Sequence, residues 1–232
     1  MRKYVLTDRA GITATGQTLA PGKFIQATRD KSNIMPRINE CGAETSLLAA
    51  LISPIPADQA RLFSIHCWNV TIDPKNAQSY TVVKEVDRVP VVTAEQRLRF
   101  AVLVAKETFR DKQFRHWADR WLSGTDCTAT SARELISVLE KELQAAAELE
   151  AIGAWSETGA DTEKHRQQDD GAKRAGHVLH AVELLENPER AASAAMEIAQ
   201  SLSGLDRLAT TLPLTTMSEL AVSETQLQQA TG

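Results

Sequence analysis

Histidines, cysteines and one cluster of aromatic and basic residues are where this chain carries groups able to do chemistry. His177, His180 and Glu183 stand at i, i+3 and i+6. On a helix the two imidazoles share a face and could hold a divalent metal together, with His165 as a third ligand. The spacing is not the HExxH of a zinc hydrolase, however, and Glu183 drifts around the helix. Two solvated or partner-facing histidines are therefore expected, and no metal. His66 and Cys67 adjoin in a strand-patterned segment, where neighbours point to opposite faces. They cannot form a dyad with each other. His66 meeting Cys41 or an aspartate in space would make a nucleophilic site, but an ordinary strand histidine is the preferred reading.

His116 and Trp117 stand among Arg110, Lys112, Arg115 and Arg120. Phosphates attract such cations, and bases stack on aromatic faces, so these four cations define a nucleic-acid alternative. Asp111 and Asp119 interleave with them, which favours a solvated helix face with i,i+4 ion pairs. The segment SETGADTEKHRQQDDG (156–171) is polar and is expected to include an exposed loop. Its Asp161, Glu163, Asp169 and Asp170 are the candidate partner-binding residues. There is no P-loop, GxGxxG or GxSxG, and no cofactor is expected.

The elements that must position these groups follow from spacing. RKYVLT (2–7) alternates and is rich in β-formers, and Asp8–Gly11 reads as a turn. ITATGQTL (12–19) and KFIQAT (23–28) read as further short strands, separated by the turn dipeptide Pro21-Gly22. Residues 29–42 read as a loop. ETSLLAALI (44–52) reads as a short buried helix ended by Pro54 and Pro56. ARLFSIHCWNVTI (60–72) has apolar groups on both faces, which marks a central strand. TVVKEV (81–86) and VPVVT (89–93) follow, the latter demoted to an edge by Pro90. Strand, turn and strand in succession predict antiparallel pairing.

From residue 93 the period changes to that of helices. Thr93 and Gln96 fit a capping box. Leu98, Ala101, Val102, Ala105 and Phe109 recur at helical spacing, and Phe100, Leu103 and Val104 widen the stripe into a helix buried on more than one side. After a break near Asp111, Phe114, Trp117, Ala118, Trp121 and Leu122 form a second stripe, closed by Gly124 as a left-handed cap. Its two tryptophans are expected in the core rather than as a stacking platform. Ser131 and Glu134 suggest another capping box. Ala175, Val178, Leu179, Val182 and Leu185 form a further stripe, and Asn187-Pro188 restarts the chain as N-cap and N1. Met196, Ala199 and Leu202 would hold a last helix. Residues 210–232, rich in Thr, Ser and Gln with no sustained period, read as a loosely held tail.

Composition bounds the class. The chain has 232 residues, 43% hydrophobic and 24% charged, which suits a globular protein. No apolar run reaches the roughly 18 residues of a membrane span. MRKYVLTDRAG lacks the run of about 7–15 apolar residues of a secretory leader, and the three widely spaced cysteines include no CxxC. A cytoplasmic protein with buried or half-buried thiols is expected. Residues 1–124 hold 18 Lys/Arg against 12 Asp/Glu, and residues 125–232 hold 8 against 18. Such asymmetry means that the halves attract each other or face different partners.

RLRFAVLVAKETFRDKQFRHWADRWLSGTD, with the Ala- and Glu-rich helices after it, resembles uncharacterised alanine-rich helical proteins of bacteria and their phages, some of which carry an immunity-protein label. The likeness covers about residues 93–155 and is one of composition and periodicity. It transfers no functional residues. It implies a phage or mobile-element protein that acts by binding another protein.

These readings combine into an α+β protein: a β-rich region at 1–93 with a small antiparallel sheet and a short helix, a helical region at 94–209, and a polar tail at 210–232. The expected function is a non-catalytic protein-binding protein, either an immunity protein or a phage inhibitor of a bacterial defence system. Nucleic-acid binding through residues 110–120 is the first alternative. An enzyme with a site assembled in space around His66, Cys41 or the His177/His180 pair is the second. Alanine-rich helices with apolar stripes self-associate readily, so a homodimer is a further expectation.

Overall fold

The computed structural model describes residues 2–13, 16–26, 42–53, 55–68, 79–153, 159–202 and 213–231. It is α+β. Strands β1 (Arg2–Asp8), β2 (Phe24–Gln26), β3 (Ala60–Trp68) and β4 (Ser79–Val86) form one sheet in the order β1-β3-β4-β2, with every neighbouring pair antiparallel. Helix α1 (Ser46–Ile52) lies between β2 and β3 in sequence. Helices α2 (Ala94–Thr108), α3 (Lys112–Leu122), α4 (Ala129–Gly153), α5 (Gly159–Leu185), α6 (Ala191–Ser201) and α7 (Leu214–Thr231) follow β4. No helix among the described residues is long and apolar enough to cross a membrane.

The described residues form two compact units. One comprises the chain to Arg97 together with 213–231, and the other runs from Leu98 to Leu202. In the first unit, alternate residues of the strands make the core. Val5, Phe63, Ile65, Cys67, Tyr80, Val82 and Ile25 face inward with Leu19 and are all at most 8% exposed. Apolar burial on one face of the pleat is what fixes the register. A bulge between Ser64 and Ile65 shifts that register once. The opposite face is also ordered in rows. Arg2, His66, Thr81 and Phe24 are mutual partners across all four strands, and Tyr4, Ser64 and Lys84 are partners in the next row.

The outer edge of β1 is closed by Ala43, which exchanges two 2.8 Å backbone hydrogen bonds with Tyr4. Gly42 makes this approach possible: its φ is +76°, and a Cβ there would sit 3.0 Å from both Tyr4 O and Val5 Cγ2. Thr45 caps α1 by accepting from Leu48 N at 3.1 Å, and Leu48, Leu51 and Ile52 are buried. Helix α1 ends before the proline pair, as expected. Arg97 donates to Ser53 O at 2.6 Å and Ile55 O at 3.3 Å, and burial pulls its guanidinium pKa down.

Four expected elements differ. Among the described residues of 12–19, Ile12 and Thr18 form an isolated bridge rather than a strand, and Gly11 and Gly16 turn the chain with φ of 80° and 84°. VPVVT is not a strand either. Pro90 has no N–H to give a ladder, and Val91 is 83% exposed. The segment 156–171, expected to include an exposed loop, is helical from Gly159 onward, because Glu, Lys, Arg, Gln and Ala have high helix propensity even without an apolar stripe. Residues 154–158 lie outside the described residues. The expected tail contains α7, whose Met217, Ser218 and Ala221 are buried and which packs on α1.

In the second unit the stripes behave as their spacing predicts. Phe100, Ala101, Val102, Val104 and Ala105 of α2 are fully buried. Phe109, Phe114, Trp117 and Trp121 form a continuous aromatic series with centroid separations of 5.6, 5.6 and 6.3 Å. One start is misplaced. Helix α4 begins at Ala129, and Thr128 caps it by accepting from Ser131 N at 3.3 Å, so Ser131 is an N3 residue rather than the cap. Asn187 and Pro188 are N-cap and N1 as expected, with Asn187 accepting from Glu189 N; the element they open is a 3-10 turn (Pro188–Arg190), after which α6 begins. Leu202 is buried as expected, whereas Met196 is 62% exposed and Ala194 and Ile198 help hold α6 in its place.

Candidate functional site

Helix α3 displays the basic candidates because Asp111 starts it cleanly, accepting from Phe114 N at 2.7 Å. Its apolar side turns Phe114, Trp117, Ala118 and Trp121 inward. Trp117 is fixed further by donating from Nε1 to Ser131 Oγ at 3.2 Å. Both tryptophans are about 95% buried, so they are core, as expected, and present no ring to a base. Arg110, Lys112, Arg115, His116 and Arg120 are exposed. Arg120 is committed to Asp126 at 2.5 Å, and Lys106 pairs with Asp119. No carboxylate among the described residues pairs with Arg110, Lys112 or Arg115. The cation footprint is thus three residues, with the paired Asp119 beside it.

Asp126 was not a sequence candidate. It accepts from the Thr128 hydroxyl at 2.9 Å and from Thr128 N at 3.2 Å. These bonds, more than the charge of Arg120, hold its carboxyl below the ordinary range. The D-x-T spacing before a helix was the available signal, since such side chains favour turns and caps.

The histidine group is dispersed. His177 Nδ1 lies 2.7 Å from Glu197 Oε2 of α6. Glu183 accepts from Arg133 Nε of α4 at 3.0 Å, and His180 is exposed. The side chain of His165 lies outside the described residues. Among the described residues no three His, Cys, Asp or Glu side chains gather to hold a metal. His66 and Cys67 do point to opposite faces. His66 sits half-buried in the outer row, and Cys67 is in the core, where burial pushes its thiol up. Cys41 lies outside the described residues.

Arg174 was also missed. It is 6% exposed and donates to Ser201 O at the end of α6. Burial lowers its pKa to about 10, partly opposed by Asp170, so it stays charged at neutral pH. It is in phase with Val178 and Ala181, which was a legible sign of a buried cation. Of the acidic candidates, Asp170 is exposed on α5. Asp161, Glu163 and Asp169 lie on the backbone of the same helix, and their side chains lie outside the described residues. Lys164 and Arg166 share that segment, so the acids form two pairs rather than a block. A small open pocket of about 190 Å³ beside Lys3, Glu44, Leu48 and Leu214 falls below the size usual for a ligand cleft.

Comparison with family models, curated proteins and solved structures finds no match to this chain.

Proposed function

We propose that this chain is a non-catalytic protein-binding protein that acts by occupying a partner's surface, as an immunity protein or a phage inhibitor of bacterial defence does. The observation that carries this reading is how the reactive groups are used. His177 is engaged by Glu197, Glu183 by Arg133, Cys67 by the sheet core, and Trp117 and Trp121 by the helical core. Among the described side chains of α5, those exposed are Asp170, Lys173 and His180. The immunity-protein likeness of residues 93–155 points the same way.

The partner contact rests on α5. Asp161 to Asp170 spans about 14 Å along a helix at the usual rise per residue. A helix holds charges at fixed spacing, which a loop does not, and complementary fixed charges steer association and select partners. A basic groove on the partner is the matching surface.

The test is capture of partners by the tagged full-length chain from host lysate at low and moderate salt, followed by reconstitution with the purified partner. Reversing Asp161, Glu163, Asp169 and Asp170 to lysine is expected to weaken the complex at least about tenfold, a differential of about 1.4 kcal/mol. Unchanged binding by the reversed chain would remove the acidic helix from the interface. Recovery of nucleic acid with no protein partner at either salt would replace the protein-binding reading.

A further inference from the structure

The sheet face opposite the core combines exposed cations with an exposed ring, which the α3 surface does not. Arg2, His66, Thr81 and Phe24 form one row across β1, β3, β4 and β2. Three strand spacings make that row about 14 Å wide. Phe24 is 58% exposed and is the one aromatic among the exposed large apolar side chains of the described residues. Arg2 is exposed and lies over the ring of Tyr4, with 5.6 Å from Cζ to the ring centroid. Lys84 is exposed as well, at the edge of the adjacent row, where Tyr4 is half-buried and Ser64 fully buried. These two rows contain no carboxylate. The nearest acidic neighbour along β4, Glu85, pairs with Phe63 of the core row and is bonded to Arg61 at 2.6 and 2.8 Å.

We propose that this face binds single-stranded nucleic acid, with a base stacked on Phe24 and the phosphates held by Arg2 and Lys84. The charge complementarity is specific to such a partner. A polyanion is attracted by cations that no carboxylate of their own rows opposes, and every base has a face that can lie on an exposed ring. An acidic peptide satisfies the first requirement only. A duplex keeps its bases stacked internally and satisfies the first requirement only. The site is on a different unit from the α3 cations and does not depend on the protein-binding reading.

The experiment is fluorescence anisotropy of a fluorescein-labelled oligothymidylate with the full chain, at rising salt. Binding is expected to weaken as salt rises. Phe24→Leu keeps an apolar side chain and loses the ring, and should weaken binding at least about fivefold, the low end of the stacking contribution. Phe24→Trp should restore it. Arg2→Gln should weaken binding and reduce the salt slope by about one. Four results would overturn the proposal. One is no binding at low salt. Another is binding indifferent to both Phe24→Leu and Arg2→Gln. A third is binding abolished by Lys112→Glu with Arg115→Glu while Phe24→Leu has no effect, which would place the site on α3. The last is polyglutamate competing as well as oligothymidylate, which would reduce the surface to bare charge. Arg2→Gln lies on an exposed side chain and keeps the test valid if Phe24→Leu disturbs the three-residue strand.

Discussion

Asp126 shows what one side chain contributes at the turn between α3 and α4. It receives two bonds from Thr128 and one from Arg120. Its lowered pKa means that the folded state prefers the charged form. The associated stability is therefore present above the unfolded carboxylate pKa of about 4 and is lost as pH falls through the lower folded value. Asp126→Asn should destabilise the protein by up to about 1 kcal/mol at neutral pH, since the pair is near the surface. The difference from the parent should close as pH drops below about 4, read from thermal melts across pH. A difference that persists in acid would mean that the bonds act through the backbone turn and not through charge. Other residue roles were legible without the fold. Gln96 and Thr93 exchange their capping bonds at 2.9 and 3.1 Å, because a capping box is satisfied within four residues. Glu197 gave no such sign, because its partner His177 is 20 positions away.

At the scale of elements, the two glycines of α5 make opposite predictions. A Cβ on Gly171 would lie 2.8 Å from Thr108 O, at the end of α2, whereas one on Gly176 would meet nothing within 4 Å. Backbone cannot yield as a side chain can, so Gly171→Ala should cost about 1–3 kcal/mol by forcing the helices apart. Gly176→Ala should stabilise by up to about 1 kcal/mol through helix propensity alone. Denaturant titration of both variants checks the close approach; equal effects would refute it. Helices with apolar stripes were readable because their periodicity is local. The first half of α5 was not, because it has the composition of a loop and the propensity of a helix. VPVVT failed in the other direction: its residues favour strand, but Pro90 removes a donor and Val91 finds no covering surface.

For the whole molecule, α7 is the telling case. Its sequence lacks a sustained period, yet Met217 is fully buried and the helix packs on α1 within the sheet unit. Met217→Ala should cost about 2–4 kcal/mol, while Glu219→Ala, exposed on the same helix, should change stability by less than about 0.5 kcal/mol. In a loosely held tail Met217→Ala would change stability as little as Glu219→Ala, and urea titration separates the cases. The amino-acid sequence by itself determined the α+β class, the strand and helix periods, the helix caps at Thr93 and Gly124, and the inward turn of the two tryptophans. Each depends on residues a few positions apart, where spacing and hydrogen-bond reach are set by the local chain. Tertiary structure alone decided that Arg2, His66, Thr81 and Phe24 share a row, that Glu197 answers His177, and that α7 has a surface to cover. These depend on strand register and helix packing between segments distant in sequence, where the outcome is set by which apolar faces are buried together.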